Sequence, residues 1–174
     1  TTLLALVYTK HMHFFVKATP APQTQLRYVR FVGAYVAAFF ATLAVSQLFA
    51  YETFPDVISS FGLPLNEIGV KFFAALIVIL EVFSIPFLLR MNLSPLMRFV
   101  SLTCGWIALA FWLVVGMWQN TIDFRIPNTG LFGSEIILPC GWWTISFVSV
   151  FIILMGYSTI GLWPHRRTRR RAKK

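Results

Sequence analysis

Four stretches of the chain, residues 31–50, 68–89, 99–118 and 141–163, are nearly unbroken runs of apolar side chains. A helix rises about 1.5 Å per residue and the hydrocarbon core of a bilayer is roughly 30 Å thick, so about 20 such residues cross it. Each run is that long, and the pattern predicts an all-α protein, a membrane-spanning antiparallel four-helix bundle. Residues 1–18 are also largely apolar, but Lys10, His11 and His13 fall in the middle of the run, and charged centres are costly in lipid. An N-terminal interfacial helix is expected there instead of a fifth span, followed by a short linker at Pro20 and Pro22. Residues 1–26 therefore precede a membrane domain at 27–164, and 165–174 form a basic tail. Between the first two spans, residues 54–64 alternate apolar and polar positions from Phe54 to Gly62 and Pro64, which predicts a short outer interfacial helix.

Composition removes the soluble alternative: 57% of the 174 residues are hydrophobic and 12% charged, too few charges to cover a soluble domain. Fifteen Lys+Arg against six Asp+Glu give a formal +9, and the placement of that excess decides its meaning. Lys10, Lys17, Arg27 and Arg30 precede the first span, Arg90 and Arg98 bracket the turn between the second and third, and seven basic residues follow the fourth. The other two connections hold Glu52, Asp56, Glu67, Asp123 and Glu135, with Arg125. Basic residues collect on the cytoplasmic side of short loops, so both termini are expected in the cytoplasm. Lys71 breaks the pattern, but it stands four residues after Glu67, where the two can pair at the helix surface.

Small residues at Gly33, Ala37, Ala41 and Ala44 mark a packing seam on the first span, because helices in lipid associate through close backbone approach. Trp118, Trp142, Trp143 and Trp163 lie near span ends as an aromatic belt requires, whereas Trp106 and Trp112 are deeper and belong to the packing surface of the third span. Residues 128–134, with Asn128, Gly130 and Gly133 around Leu131 and Phe132, predict a loop folded back onto the bundle. Together with Phe54, Gly62 and Pro64 it is expected to cap the outer mouth.

Glu81 is the one acidic residue inside a span, roughly 20 Å from the outer end of its helix. A carboxylate in hydrocarbon costs several kcal/mol unless paired, protonated or hydrated, so it must face the bundle interior. Tyr35, Thr103, Cys104 and Tyr157 lie within about one turn of its level, and no Lys or Arg does. Tyr35, Thr103 and Tyr157 are the expected hydrogen-bond partners. Two roles stay open: a structural carboxyl that ties helices together, or a group that relays protons or recognises a polar ligand. Pro86 should kink the helix just inside this site.

Catalytic and metal motifs are lacking in the sequence. Cys104 and Cys140 sit about 20 Å apart in depth, beyond the roughly 7 Å that a disulfide spans between Cα atoms. His11 and His13 diverge on a helix, and no triad, zinc-protease, phosphate-loop or dinucleotide motif occurs. The tail at 165–174 reads chiefly as an anchor to anionic lipids, with an acidic protein partner or nucleic acid as weaker readings.

A basic flank, a first span with small residues, Phe54 through Phe61-Gly-Leu-Pro64, Leu80-Glu81, a basic turn, and Asn128-Thr-Gly-Leu-Phe-Gly133 before a Trp-led fourth span resemble the DoxX/MauE-like membrane proteins over residues 27–163. The resemblance implies a four-helix bundle with Glu81 at the family's intramembrane acidic position. It also implies functions that range over subunits of redox complexes, maturation factors for dehydrogenases, and chaperone- or receptor-like proteins. Two functions follow as expectations. One is a non-enzymatic membrane protein, in the plasma membrane, that binds a partner protein or a lipid-like ligand. The other is a membrane subunit of a quinone-linked oxidoreductase in which Glu81 handles protons, although no residue can be assigned to a quinone. No other cofactor and no metal is implied.

Overall fold

The computed structural model describes residues 27–62, 66–122, 128–134, 136–138 and 141–163. Five helices are described: α1 (Arg27–Phe49), α2 (Phe54–Ser59), α3 (Glu67–Leu88), α4 (Pro95–Ile122) and α5 (Trp142–Leu162). Four of them, α1, α3, α4 and α5, are long and apolar enough to cross a membrane. The expected N-terminal interfacial helix, the basic tail, Pro64 and Cys140 lie outside the described residues.

The long helices pack as a ring in which α1 touches α3 and α5, and α4 touches α3 and α5. Consecutive helices run in opposite directions, giving an antiparallel four-helix bundle. The end that carries the 50–66 and 123–140 connections is called outer below, and the end with Arg27, Arg90 and Trp163 inner. Helix α4 is longer than hydropathy marked, because local capping chemistry starts it four residues earlier than 99. Ser94 Oγ accepts the Met97 N–H at 3.2 Å and Pro95 fills the first turn, where its missing N–H costs nothing. Arg98 is therefore a buried residue one turn inside the helix. Helix α3 is capped similarly, with Asn66 Oδ1 accepting the Gly69 N–H at 2.8 Å. Lys71 donates to Glu67 at 2.8 Å on the exposed surface, the pair that the four-residue spacing allowed.

Gly33 sets the approach of α1 to the inner ends of its neighbours: a Cβ there would stand 3.1 Å from the Leu88 carbonyl oxygen and 3.3 Å from Leu162. Gly33, Ala37 and Ala44 are buried as the seam required, while Ala41 sits at its edge. The buried stripe of α1 continues instead through Phe40, Leu43 and Gln47. A second cluster joins α1 to α5: Phe39 stacks on Phe151 and meets Phe147 and Phe132 edge-on. Large side chains such as Phe31, Phe49, Ile153 and Ile160 remain exposed on the perimeter, as they must where lipid is the solvent.

Pro86 lies inside α3, and a side chain of the next helix repairs the hydrogen-bond ladder beside it. Ser101 Oγ of α4 accepts the Phe87 N–H at 3.0 Å and donates to the Phe83 carbonyl at 2.6 Å. The hydroxyl thus stands between a donor and an acceptor that would ordinarily bond to each other. Such insertions satisfy backbone groups in a medium that offers no water. Gly105, one turn further along α4, keeps this contact close, since a Cβ would meet Ser84 at 3.1 Å and Met155 at 2.8 Å.

Candidate functional site

The carboxyl group of Glu81 is fully buried in the bundle interior. Two donors converge on one of its oxygens: Trp112 Nε1 of α4 donates to Oε1 at 2.8 Å, and Gln47 Nε2 of α1 donates to the same atom at 3.1 Å. The Gln47 amide also donates to the Leu131 carbonyl at 3.0 Å. Three helices and the outer loop are therefore tied at one carboxylate oxygen. No cationic group contacts it among the described residues.

The expected partners are not the observed ones. Tyr35 is 61% exposed and stacks on Phe151. Tyr157 is 46% exposed, and the Thr103 hydroxyl donates to the Phe99 carbonyl within its own helix at 2.9 Å. Cys104 is half-buried. These residues have suitable depth, but their side chains point away from the centre.

Gln47 and Trp112 reach Glu81 from further out along their helices. From the level where Gly33 meets Leu88, Gln47 lies about 21 Å outward and Glu81 about 10 Å. Side chains lean toward the N-terminus of their own helix. In α3, which starts at the outer end, Glu81 reaches outward, while Gln47 and Trp112 on inward-starting helices reach inward. The axial offset from Glu81, roughly 10 Å for Gln47 and about 6 Å for Trp112 by the contact of Gly105 with Ser84, is closed by the lengths of the side chains. Gln47 carried a readable signal, since it is the only amide in the first span and falls three residues after Ala44 on the buried seam.

The loop held by Gln47 folds into the bundle and is built on its own side-chain hydrogen bonds. Asn128 Oδ1 accepts the Gly130 N–H, and Asn128 Nδ2 donates to the Gly133 carbonyl, both at 3.0 Å. Gly130 and Gly133 adopt φ of 73° and 74°, a region disfavoured for side chains, and both are pressed against neighbours. A Cβ on Gly130 would stand 3.0 Å from Val57, and one on Gly133 would stand 3.1 Å from the Ser46 carbonyl oxygen. Gly62 also has positive φ, and Phe54 is fully buried beneath it in α2. Thr53 and Ser134 join the two outer connections through a 2.5 Å hydroxyl contact, and Trp118 Nε1 donates to the Phe61 carbonyl at 3.1 Å.

Beside this loop is an apolar cavity of about 310 Å³ lined by Leu131, Phe132, Leu138, Trp143, Thr144 and Phe147. Leu131 and Thr144 form its buried floor and exposed Trp143 its rim. Leu131 belongs to both features: its carbonyl accepts from Gln47, and its side chain faces the cavity.

Comparison of the chain with protein-family models, curated proteins and solved structures finds no match.

Proposed function

We propose that the chain is a non-enzymatic, multi-pass protein of DoxX-like type that binds a lipid-like ligand at its outer end. The observation that carries this reading is the apolar cavity whose floor, Leu131, is fixed to the buried carboxyl through Gln47. Its volume lies at the lower end of ligand-binding pockets, roughly 300–1,000 Å³. An acyl or other apolar chain is the natural occupant of a cavity with aromatic and aliphatic walls at an interface marked by Trp142 and Trp143. In this reading Glu81 holds the wall of the site in place and does not touch the ligand. The positive-inside asymmetry supports cytoplasmic termini and contact of the 165–174 tail with anionic lipid. The order of short motifs around Glu81 and Asn128–Gly133 supports the family reading.

The test is photo-crosslinking in vesicles of phosphatidylcholine that carry a photoactivatable acyl chain. Adducts should concentrate on Phe132, Trp143 and Phe147 and fall when Leu138→Trp fills the cavity. Adducts spread evenly over the perimeter, at Ile153 and Ile160 as much as at Phe147, would remove the proposal.

A second reading, a quinone-linked redox subunit, draws on one specific feature: Glu81 Oε2 has no hydrogen-bond partner among the described residues, as a proton-handling group requires on one side. Quinone extracted stoichiometrically with the purified protein, together with loss of electron transfer in Glu81→Gln, would favour it over the first.

A further inference from the structure

Between the level of Glu81 and the outer end of the bundle, five side-chain polar atoms are buried without a hydrogen-bond partner among the described residues: Gln47 Oε1, Glu81 Oε2, both amide atoms of Gln119, and Asn120 Oδ1. Gln119 is the most anomalous, because it is 1% exposed and neither its donor nor its acceptor is used. Buried amides are normally fully bonded, and an unsatisfied one is expensive. An aliphatic side chain at this position would fill the same space without that cost.

One face of α4 relates Gln119 to Glu81. Trp112, which donates to Glu81, and Gln119 are two helical turns apart, so they occupy one face of α4 with Gln119 about 10 Å further out. Its neighbour Trp118 donates to the Phe61 carbonyl, which fixes this level of α4 directly beneath the outer connection. Gln47 reaches Glu81 from α1, which packs beside α3. The unpartnered atoms of Gln119 thus lie outward of the carboxyl group along the face of α4 that carries Trp112.

We propose that this part of the bundle axis is a water-binding site, with Gln119 at its outer end and the free oxygen of Glu81 at its inner end. Water matches the chemistry required. It offers donors to Gln47 Oε1, Glu81 Oε2 and Gln119 Oε1 and an acceptor to Gln119 Nε2, and internal waters make about three such bonds each. The site sets ordered water against Glu81 beneath the loop that Gln47 ties to the bundle. It does not depend on a lipid-like ligand in the neighbouring cavity, and the two stand or fall separately.

Radiolytic footprinting of the full chain in nanodiscs tests it, because hydroxyl radicals produced from bound water oxidise the reactive side chains beside that water. Trp112 should be oxidised several-fold faster than Met155, which is about as buried and as reactive but packs at Gly105, about 10 Å further in along α4, and the added oxygen should carry ¹⁸O when the sample is equilibrated with H₂¹⁸O. Gln119→Met should lower the thermal midpoint and reduce oxidation at Trp112. Oxidation of Trp112 as slow as that of Met155 would overturn the proposal. So would a Gln119→Met protein with a raised midpoint, because a buried amide with no water bound is relieved by its removal. Footprinting of the unaltered chain decides the question if the variant fails to fold.

Discussion

Replacing Gln47 by Leu tests the junction at the centre of the bundle. Leu has nearly the volume of Gln and keeps the seam of α1 filled, but it removes both donors of the amide. The Leu131 carbonyl then loses its 3.0 Å bond, while Glu81 Oε1 keeps the 2.8 Å bond from Trp112. Leaving a buried acceptor unsatisfied costs about 1–3 kcal/mol, and the second lost bond adds about 0.5–1.5. Removal of the unpartnered Gln47 Oε1 returns a similar amount, and interhelical bonds in membranes average about 0.6 kcal/mol. A net loss of roughly 0.5–1.5 kcal/mol is expected. Reversible unfolding in mixed micelles with rising SDS, followed by far-UV circular dichroism, reads that difference. Protease cleavage within 128–134 should rise in parallel, since the loop loses its anchor to the bundle. The double variant with Trp112→Phe should deviate from additivity by about 0.5–3 kcal/mol, because it strips Glu81 Oε1 of both donors. Wild-type stability in Gln47→Leu, with unchanged protection of the loop, would refute the role given to this amide.

Glu81→Gln should be nearly silent in stability, since an amide oxygen can accept from Gln47 and Trp112 as the carboxyl does, whereas Glu81→Leu should cost about 1–3 kcal/mol by stranding those two donors; the same SDS titration measures both. Ser101→Ala exposes the Phe87 N–H and Phe83 carbonyl to an apolar surround and should destabilise by about 1–3 kcal/mol; Pro86→Ala in that background should recover much of the loss, because without the ring the helix can close the Phe87–Phe83 bond itself. Gly133→Ala forces a Cβ into a left-handed backbone against the Ser46 carbonyl, and it should destabilise by about 1 kcal/mol or more and raise protease cleavage at 128–134. Cysteines placed at Ser59 and Met91 should react with an impermeant thiol reagent from opposite sides of sealed cells or vesicles.

The spans, their order and the inward-facing carboxyl could be read from the sequence because lipid imposes a simple requirement on length and polarity. The start of α4 was less visible, since hydropathy registers neither Ser94 as a cap nor Pro95 as a first-turn residue. Both signals are nonetheless present in the letters, as is the small-residue line that Gln47 extends. The hydroxyl of Ser101 was of another kind: Pro86 announces a disturbed ladder with the Val82 carbonyl short of its donor, but only the packing of two helices shows that Ser101 takes up the neighbouring Phe87 N–H and Phe83 carbonyl.

The partners of Glu81 were missed for a geometric reason with general force. Matching Cα depths selected Tyr35, Thr103 and Tyr157, and helical phase then turned those side chains outward or back onto their own backbone. Antiparallel neighbours meet differently, because each side chain leans toward the start of its own helix. A residue on an outward-starting helix and one on an inward-starting helix touch when their Cα atoms are separated by the sum of the two reaches, with the inward-starting residue further out. Applied to Glu81, an outward offset of roughly 6–10 Å excludes the level of Tyr35 and selects the levels of Trp112 and Gln47. The same rule places Gln119 too far out to touch the carboxyl group directly, so any communication between them has to pass through something smaller than a side chain.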